Sequence, residues 1–194
     1  RVNGGFYKAI KAKKWNSAQC LLKWGANPNS ECDNRIALLH AVDGNCAVFV
    51  ESLLRAGARP TPMQQEDCWY HALRECSGQI IKLFIEMQGF DPNNNKFPGF
   101  SLYPIEYVVK RRNIEGVKVL LAAGANVNVR HECGHTPLYE AAYNNDIPMA
   151  RLLLEAGALS TLDSSVSPLS RAAIDGYTDM VQLILQYTKQ VDPL

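Results

Sequence analysis

The chain has 194 residues, 47% of them hydrophobic, and its 20 basic and 19 acidic side chains leave a formal charge of +1. That balance argues against a disordered tail or a polybasic arm, and it supplies enough apolar material for a packed core. No apolar run approaches the ~18 residues of a membrane span, and no signal-like segment opens the chain. The first residue is Arg1 rather than Met, so the sequence reads as a piece of a longer protein.

In chain order, short helical patterns recur, and most close on a glycine. The first unit runs from GGFYKAI to QCLLKWGANPN and ends at Gly25. The second holds Leu38 and Ala41 in ALLHAV, then Ser52-Leu53-Leu54 and the close Gly57-Ala58. The third is the most degraded: DCWYHAL puts Trp69 in a leucine slot ahead of Gly89. The fourth follows two extra residues and carries Tyr103-Pro104-Ile105, Val119-Leu120-Leu121 and Gly124-Ala-Asn-Val-Asn. The fifth is the most regular. Thr136 is a good N-cap, and Pro137 suits the first helical position, where a missing N–H costs nothing. Leu138, Ala141 and Ala142 then share one face at helical spacing. Asn144-Asn145-Asp146 interrupts the pattern before a second helix from Ile147, with Met149, Ala150, Leu152 and Leu153 facing inward and Gly157 ending it. The sixth unit has Ser167-Pro168-Leu169 and Ala172-Ala173 and finishes near Tyr187 without a glycine.

Each helix has about eight residues, below the ~12–15 needed for marginal stability alone. Such a unit needs neighbours, and Gly124 and Gly157 mark a period of 33 residues. The pattern resembles the ankyrin repeat family, whose signature is T-P-L-H-x-A at that period. Six copies are placed at about 4–29, 34–60, 66–92, 101–130, 134–161 and 165–189 of one domain. The resemblance implies an all-α solenoid of stacked helix-turn-helix units with short β-turn fingers. It also implies a non-catalytic scaffold that binds a partner protein or peptide on a concave groove formed by finger tips and first helices. No cofactor is expected. The alternative is a regulatory or substrate-docking segment of a larger enzyme, which would use the same groove.

Carried onto this chain, the family frame places in the groove the two residues after each Ala-Ala-like pair. These are Lys11 and Ala12, Asp43 and Gly44, Arg74 and Glu75, Lys110 and Arg111, Tyr143 and Asn144, and Ile174 and Asp175. Finger positions add Arg35, Phe100, Leu102, Glu132, Cys133 and His135, and Arg112 extends the basic run at a helix end. Phe97, Phe100 and Tyr103 make the fourth finger apolar, either as a peptide anchor or as a local mini-core. Lys110, Arg111 and Arg112 point to an acidic partner segment, since an Arg can grip a carboxylate with two hydrogen bonds.

Residues 1–30 hold six basic side chains and no acid, whereas residues 131–194 hold eight acids against three bases. Nucleic acid is the rival reading of the basic end, but Trp15 and Trp24 fall in packing slots and offer no stacking platform. The six cysteines, at 20, 32, 46, 68, 76 and 133, share no repeat slot and form no Cys-x-x-Cys; Cys20 falls in a second-helix core position. Free thiols imply the cytoplasm, the nucleus or both. His131-Glu-Cys133-Gly-His135 offers zinc-type donors on alternate residues, yet the frame makes these a finger, so no metal is expected. His40, His71, His131 and His135 join no nucleophile motif. The resemblance gives His40 a structural bond between neighbouring loops. It also gives Leu120 to Asn128 the leucine-to-asparagine spacing of asparaginyl hydroxylation. Asn128 is then a modification substrate, or a turn residue bonding local backbone. The piece is expected to be a monomer that neither enters a membrane nor binds nucleic acid.

Overall fold

Seven-residue helices cannot hold themselves together in water, and here each is backed by a second helix that returns along it. The structure is a computed structural model that describes residues 2–75, 77–94, 102–160 and 167–191. Phe97 and Phe100, read as finger aromatics, lie outside these residues. Among the described residues the first helices are α1 (Val2–Lys11), α3 (Ala37–Asp43), α5 (Pro62–Glu75), α7 (Pro104–Lys110), α9 (Pro137–Tyr143) and α11 (Pro168–Ile174). Their partners are α2 (Trp15–Lys23), α4 (Ala47–Arg55), α6 (Gly78–Gln88), α8 (Ile114–Ala122), α10 (Ile147–Glu155) and α12 (Thr178–Val191). One short hairpin, β1 (Glu31–Cys32) and β2 (Arg35–Ile36), pairs antiparallel with Cys32 opposite Arg35. Its two-residue tip, Asp33 and Asn34, has both φ angles positive, at 50° and 60°, as a tight hairpin of matching twist requires.

The helix starts follow their capping residues. Thr136 Oγ1 accepts the Tyr139 N–H at 3.2 Å, Ser167 Oγ accepts the Ser170 N–H at 3.0 Å, and Asp146 Oδ1 accepts the Met149 N–H at 3.1 Å. The closing glycines Gly25, Gly57, Gly89, Gly124 and Gly157 all have positive φ, between 67° and 87°, which side-chain-bearing residues rarely adopt. α5 begins at Pro62, ahead of residue 66 where the repeat frame opens its third copy. The reason is local. Thr61 Oγ1 accepts the Gln64 N–H and the Gln64 side chain accepts the Thr61 N–H, so a capping box starts the helix early.

The chain divides into two compact units, residues 1–91 and 92–194. In the first, α1 packs on α3 and α3 on α5, while α2 lies against α4 and α4 against α6. Phe6, Leu38, Phe49, Leu53, Trp69 and Phe84 are buried there, and Trp69 stacks on Phe90 with ring centroids 4.9 Å apart. Trp69 thus fills the leucine slot as a core residue. In the second, α7 packs on α9, α9 on α11 and α10 on α12, around Ile105, Leu120, Leu138, Met149 and Leu153. Leu154 joins this core, whereas Leu152, expected inside, is only half-buried.

Asparagines make the same tie to the following repeat at three places. Asn29 Oδ1 accepts the Arg59 N–H at 2.7 Å, Asn93 Oδ1 the Asn126 N–H at 2.7 Å, and Asn128 Oδ1 the Leu159 N–H at 2.8 Å. The amide nitrogens of Asn93 and Asn128 donate back to the closing-glycine carbonyls of Gly124 and Gly157. Inside the same loops, Asn27 and Asn126 each accept the N–H two residues on, forming local turns. The second Asn of G-A-N-x-N therefore reaches the next repeat, and the first stays at home.

Two sequence expectations fail in these elements. Cys20, placed in a core position, is exposed, and Ala18 is the buried residue of α2. Trp24, expected to pack, is the C-cap of α2 and is 78% exposed. Trp15 does pack, stacked on Phe49 at 5.5 Å.

Candidate partner-binding face

The face in question is built from the C-terminal ends of the first helices and from the fingers before them. Because apolar residues of each first helix turn inward at helical spacing, the residues after them emerge on the opposite side. Lys11, Ala12, Asp43, Glu75, Lys110, Arg111, Tyr143 and Ile174 are exposed, with Ile174 at 77%. Arg74, Asn144 and Asp175 are half-buried, and so is Leu102 in the fourth finger.

Much of this face is cross-linked by its own charges. In residues 1–91, the Lys11 ammonium lies 3.0 Å from Asp33 Oδ2, and the Tyr7 hydroxyl donates to Asp33 Oδ1 at 2.7 Å. These two donors, Tyr7 first, hold the Asp33 carboxyl below its ordinary range, and the same bond pushes the Tyr7 hydroxyl up to about 12. Asp43 sits between the Arg35 guanidinium and His71, whose Nδ1 is 2.7 Å away in the following repeat. Arg74 lies over the Tyr70 ring, 5.2 Å from its centroid, and pairs with Glu75 at 2.7 Å. Gly44 is no open groove position, since a Cβ there would come within 2.2 Å of the Trp15 ring.

In residues 92–194, Arg112 turns the chain with φ of 54° and sends its side chain to the next repeat, donating to the Asn144 carbonyl at 3.1 Å. It lies 3.9 Å from Asp146 as well, so its charge is engaged in stacking. The Asn144 amide donates to the Glu140 carbonyl at 2.9 Å. Arg171 lies 4.9 Å over the Tyr143 ring and bonds Asp175 with both of its guanidinium arms, which raises its own proton affinity. Lys110 and Arg111 project from the end of α7.

Between α7, α9 and the finger at residues 131–135 lies a notch of about 70 Å³, lined by Glu106, Lys110, His131, Cys133, His135 and Glu140. Glu106 is 6% exposed, and its Oε2 accepts the Tyr103 N–H at 2.7 Å. Burial pushes its carboxyl above the ordinary range; the Tyr103 bond, His131 and Lys110 oppose that shift, and Glu140 adds to it. His135 stacks on Tyr139 at 4.1 Å, and Glu132 stands exposed at the tip. Among the described residues no three His, Cys, Asp or Glu side chains converge to hold a metal ion.

The sequence reading missed Glu106, whose capping partner is a Tyr backbone rather than a Ser or Thr. It also missed the pairing of Asp43 with His71, which no spacing rule predicts. His40, expected to bond between neighbouring loops, has its Nε2 3.0 Å from the Cys32 carbonyl of the finger just before its own helix and so ties α3 to β1. Asn128 is engaged at both ends of its amide with the next repeat, a longer reach than the local turn expected.

Comparison with known proteins agrees with this geometry. Residues 105–193 match the family model described as ankyrin repeats, in three copies. The nuclear factor NF-kappa-B p105 subunit of Gallus gallus is 29% identical over 71% of the chain, and the E3 ubiquitin-protein ligase KEG of Arabidopsis thaliana is 26% identical over 86%. The chain spans only 15% and 11% of those two proteins. The crystal structure of the Bcl-3 ankyrin repeat domain superposes with a TM-score of 0.73 over 94% of this chain and 85% of its own, at 21% identity. Domains of this fold are generally protein–protein interaction modules and are typically non-catalytic. No helix among the described residues is long and apolar enough to cross a membrane. The repeats, the capped helix pairs and the closing glycines have one explanation: the chain belongs to the ankyrin repeat family.

Proposed function

We propose that this chain is a protein-recognition scaffold that takes a partner protein or peptide on the first-helix and finger face. The observation that carries this reading is the division of labour along each first helix. Ile105, Val108 and Val109 are buried in stacking, while Lys110 and Arg111, next in sequence, stand exposed. Stacking thus leaves those positions to a partner. An acidic segment fits there, because two adjacent cations attract it and the Arg111 fork matches a carboxylate. Tyr143 and Ile174 add exposed apolar surface at the corresponding positions of the next two repeats. The chain acts as a monomer in a reducing compartment, cytoplasm or nucleus; among the described residues Cys20, Cys32, Cys46 and Cys133 are free thiols. Affinity purification with the native chain and with a Lys110→Glu/Arg111→Glu variant tests the reading. A partner captured by the first and lost from the second supports it, and equal capture by both overturns it.

A second reading is a docking segment within a larger enzyme, favoured by the match to the E3 ubiquitin-protein ligase. Sequencing the coding region on both sides of residues 1–194 separates the two readings.

A further inference from the structure

The finger at residues 131–135 folds back on itself. The His131 N–H donates to the His135 carbonyl at 2.9 Å, the Gly134 N–H donates to the His131 carbonyl at 2.8 Å, and Gly134 turns with φ of 82°. This hairpin brings the Cys133 sulfur within 2.9 Å of His131 Nδ1. The Cys133 backbone N–H donates to that same nitrogen at 3.3 Å. A backbone N–H can only donate, so Nδ1 is the lone-pair nitrogen of the ring and Nε2 carries the proton. The hydrogen lying between sulfur and Nδ1 is therefore the thiol's own. Cys133 is exposed, whereas Cys32 and Cys68 are buried. Cys20 is exposed too, but its thiol has no side-chain partner among the described residues.

Charged groups of both signs surround this pair. Glu106 on α7 is buried in the same notch and is drawn to His131 electrostatically, so it stabilises the ring once cationic. Lys110 on α7 and His135 of the same finger line the notch as well, and Lys110 brings positive charge to it. Glu140 on α9 and Glu132 beside the thiol oppose that charge.

We propose that Cys133 is a thiol-modification site for small disulfides of the glutathione class, with His131 as its proton acceptor. In the step, His131 Nδ1 takes the thiol proton as the Cys133 sulfur attacks one sulfur of the disulfide. A new S–S bond forms to Cys133 and the S–S bond of the reagent breaks. The departing sulfur leaves as a thiolate and takes the proton back from the imidazolium. Electrons balance, because the reagent is the oxidant. The adduct, larger than the notch, then lies over it and changes the face on which a partner is proposed to sit.

The test incubates the native chain with glutathione disulfide and follows each cysteine by peptide mass spectrometry. Cys133 is expected to gain a glutathionyl group about tenfold or more faster than Cys20, a fraction of the ~10²–10⁴-fold that a positioned proton acceptor contributes. His131→Ala should bring Cys133 down to the Cys20 rate, and added imidazole should restore part of the loss, which a merely structural role for the ring would not allow. Equal rates at Cys133 and Cys20 in the native chain overturn the proposal, as does an unchanged Cys133 rate in His131→Ala. The native comparison needs no variant, and neither measurement needs a protein partner, so a failure here leaves the recognition reading to its own test.

Discussion

Glu106 shows how one residue carries two opposed effects. Its hydrogen bond to the Tyr103 N–H caps α7, while its burial makes the ionised form costly. Below its ordinary value of 4.5 the carboxyl is neutral in folded and unfolded chains alike, and no penalty arises. As pH rises, the unfolded chain releases the proton first, so the folded state loses stability until its own raised value is passed. Glu106→Gln keeps an acceptor for the cap and removes the charge. Its Tm should exceed the native value at about pH 7, and the gap should close below about pH 4, as thermal melts across pH would record. A second residue-scale outcome concerns Gly44, whose φ of −79° suits any residue. Its constraint is space alone, because an added Cβ meets the Trp15 ring at 2.2 Å. Gly44→Ala should cost about 1–3 kcal/mol in urea unfolding, the usual effect of overpacking. Neither constraint was legible beforehand. A sequence shows that Gly44 follows Asp43, but not that a ring from the preceding repeat lies above it.

At the scale of elements, much more was legible. Helix starts at Pro104, Pro137 and Pro168 and the positive-φ ends at Gly25, Gly57, Gly89, Gly124 and Gly157 follow from local chemistry that the sequence spells out. α5 starts ahead of the third copy because Thr61-Pro62-Met-Gln64 is a start signal in what the repeat period treats as a spacer. Trp24 was misread because position in a repeat says which slot a residue occupies, not whether a neighbouring helix covers it. Asn128 was legible as important and misread in reach. Asn128→Ala removes an acceptor for Leu159 and a donor to Gly157, both at exposed bonds. Chemical denaturation should show a loss of about 1–2 kcal/mol. Asn128→Asp, which retains only the acceptor, should fall between that variant and the native chain.

For the whole molecule, the uneven spread of charge matters more than the net value of +1. The repeat frame proposes a face, but it does not say which of that face's side chains are already engaged. Arg112, Asp43 and Asp175 have the same formal charge whether paired or open, and only coordinates tell the two apart. Lys110 and Arg111 are both exposed at the end of α7. Reversing both to Glu should leave helicity nearly intact by circular dichroism and weaken partner binding by about 2 kcal/mol or more. Titrations in rising salt should show that difference shrinking, since mobile ions screen exposed charges.

The asparagine brackets have a consequence for how such a chain can change length. Asn29 reaches 30 residues ahead, Asn93 reaches 33 and Asn128 reaches 31, yet each finds the equivalent N–H just after the next closing glycine. The bracket therefore measures place in the stack rather than distance along the chain. Residues can be gained or lost in a finger without breaking it, because both of its ends lie outside the finger that varies. An insertion between a closing glycine and its bracketed N–H has no such freedom and would cut the tie. Length variation in this chain should accumulate in the fingers, leaving the asparagine joints unmoved.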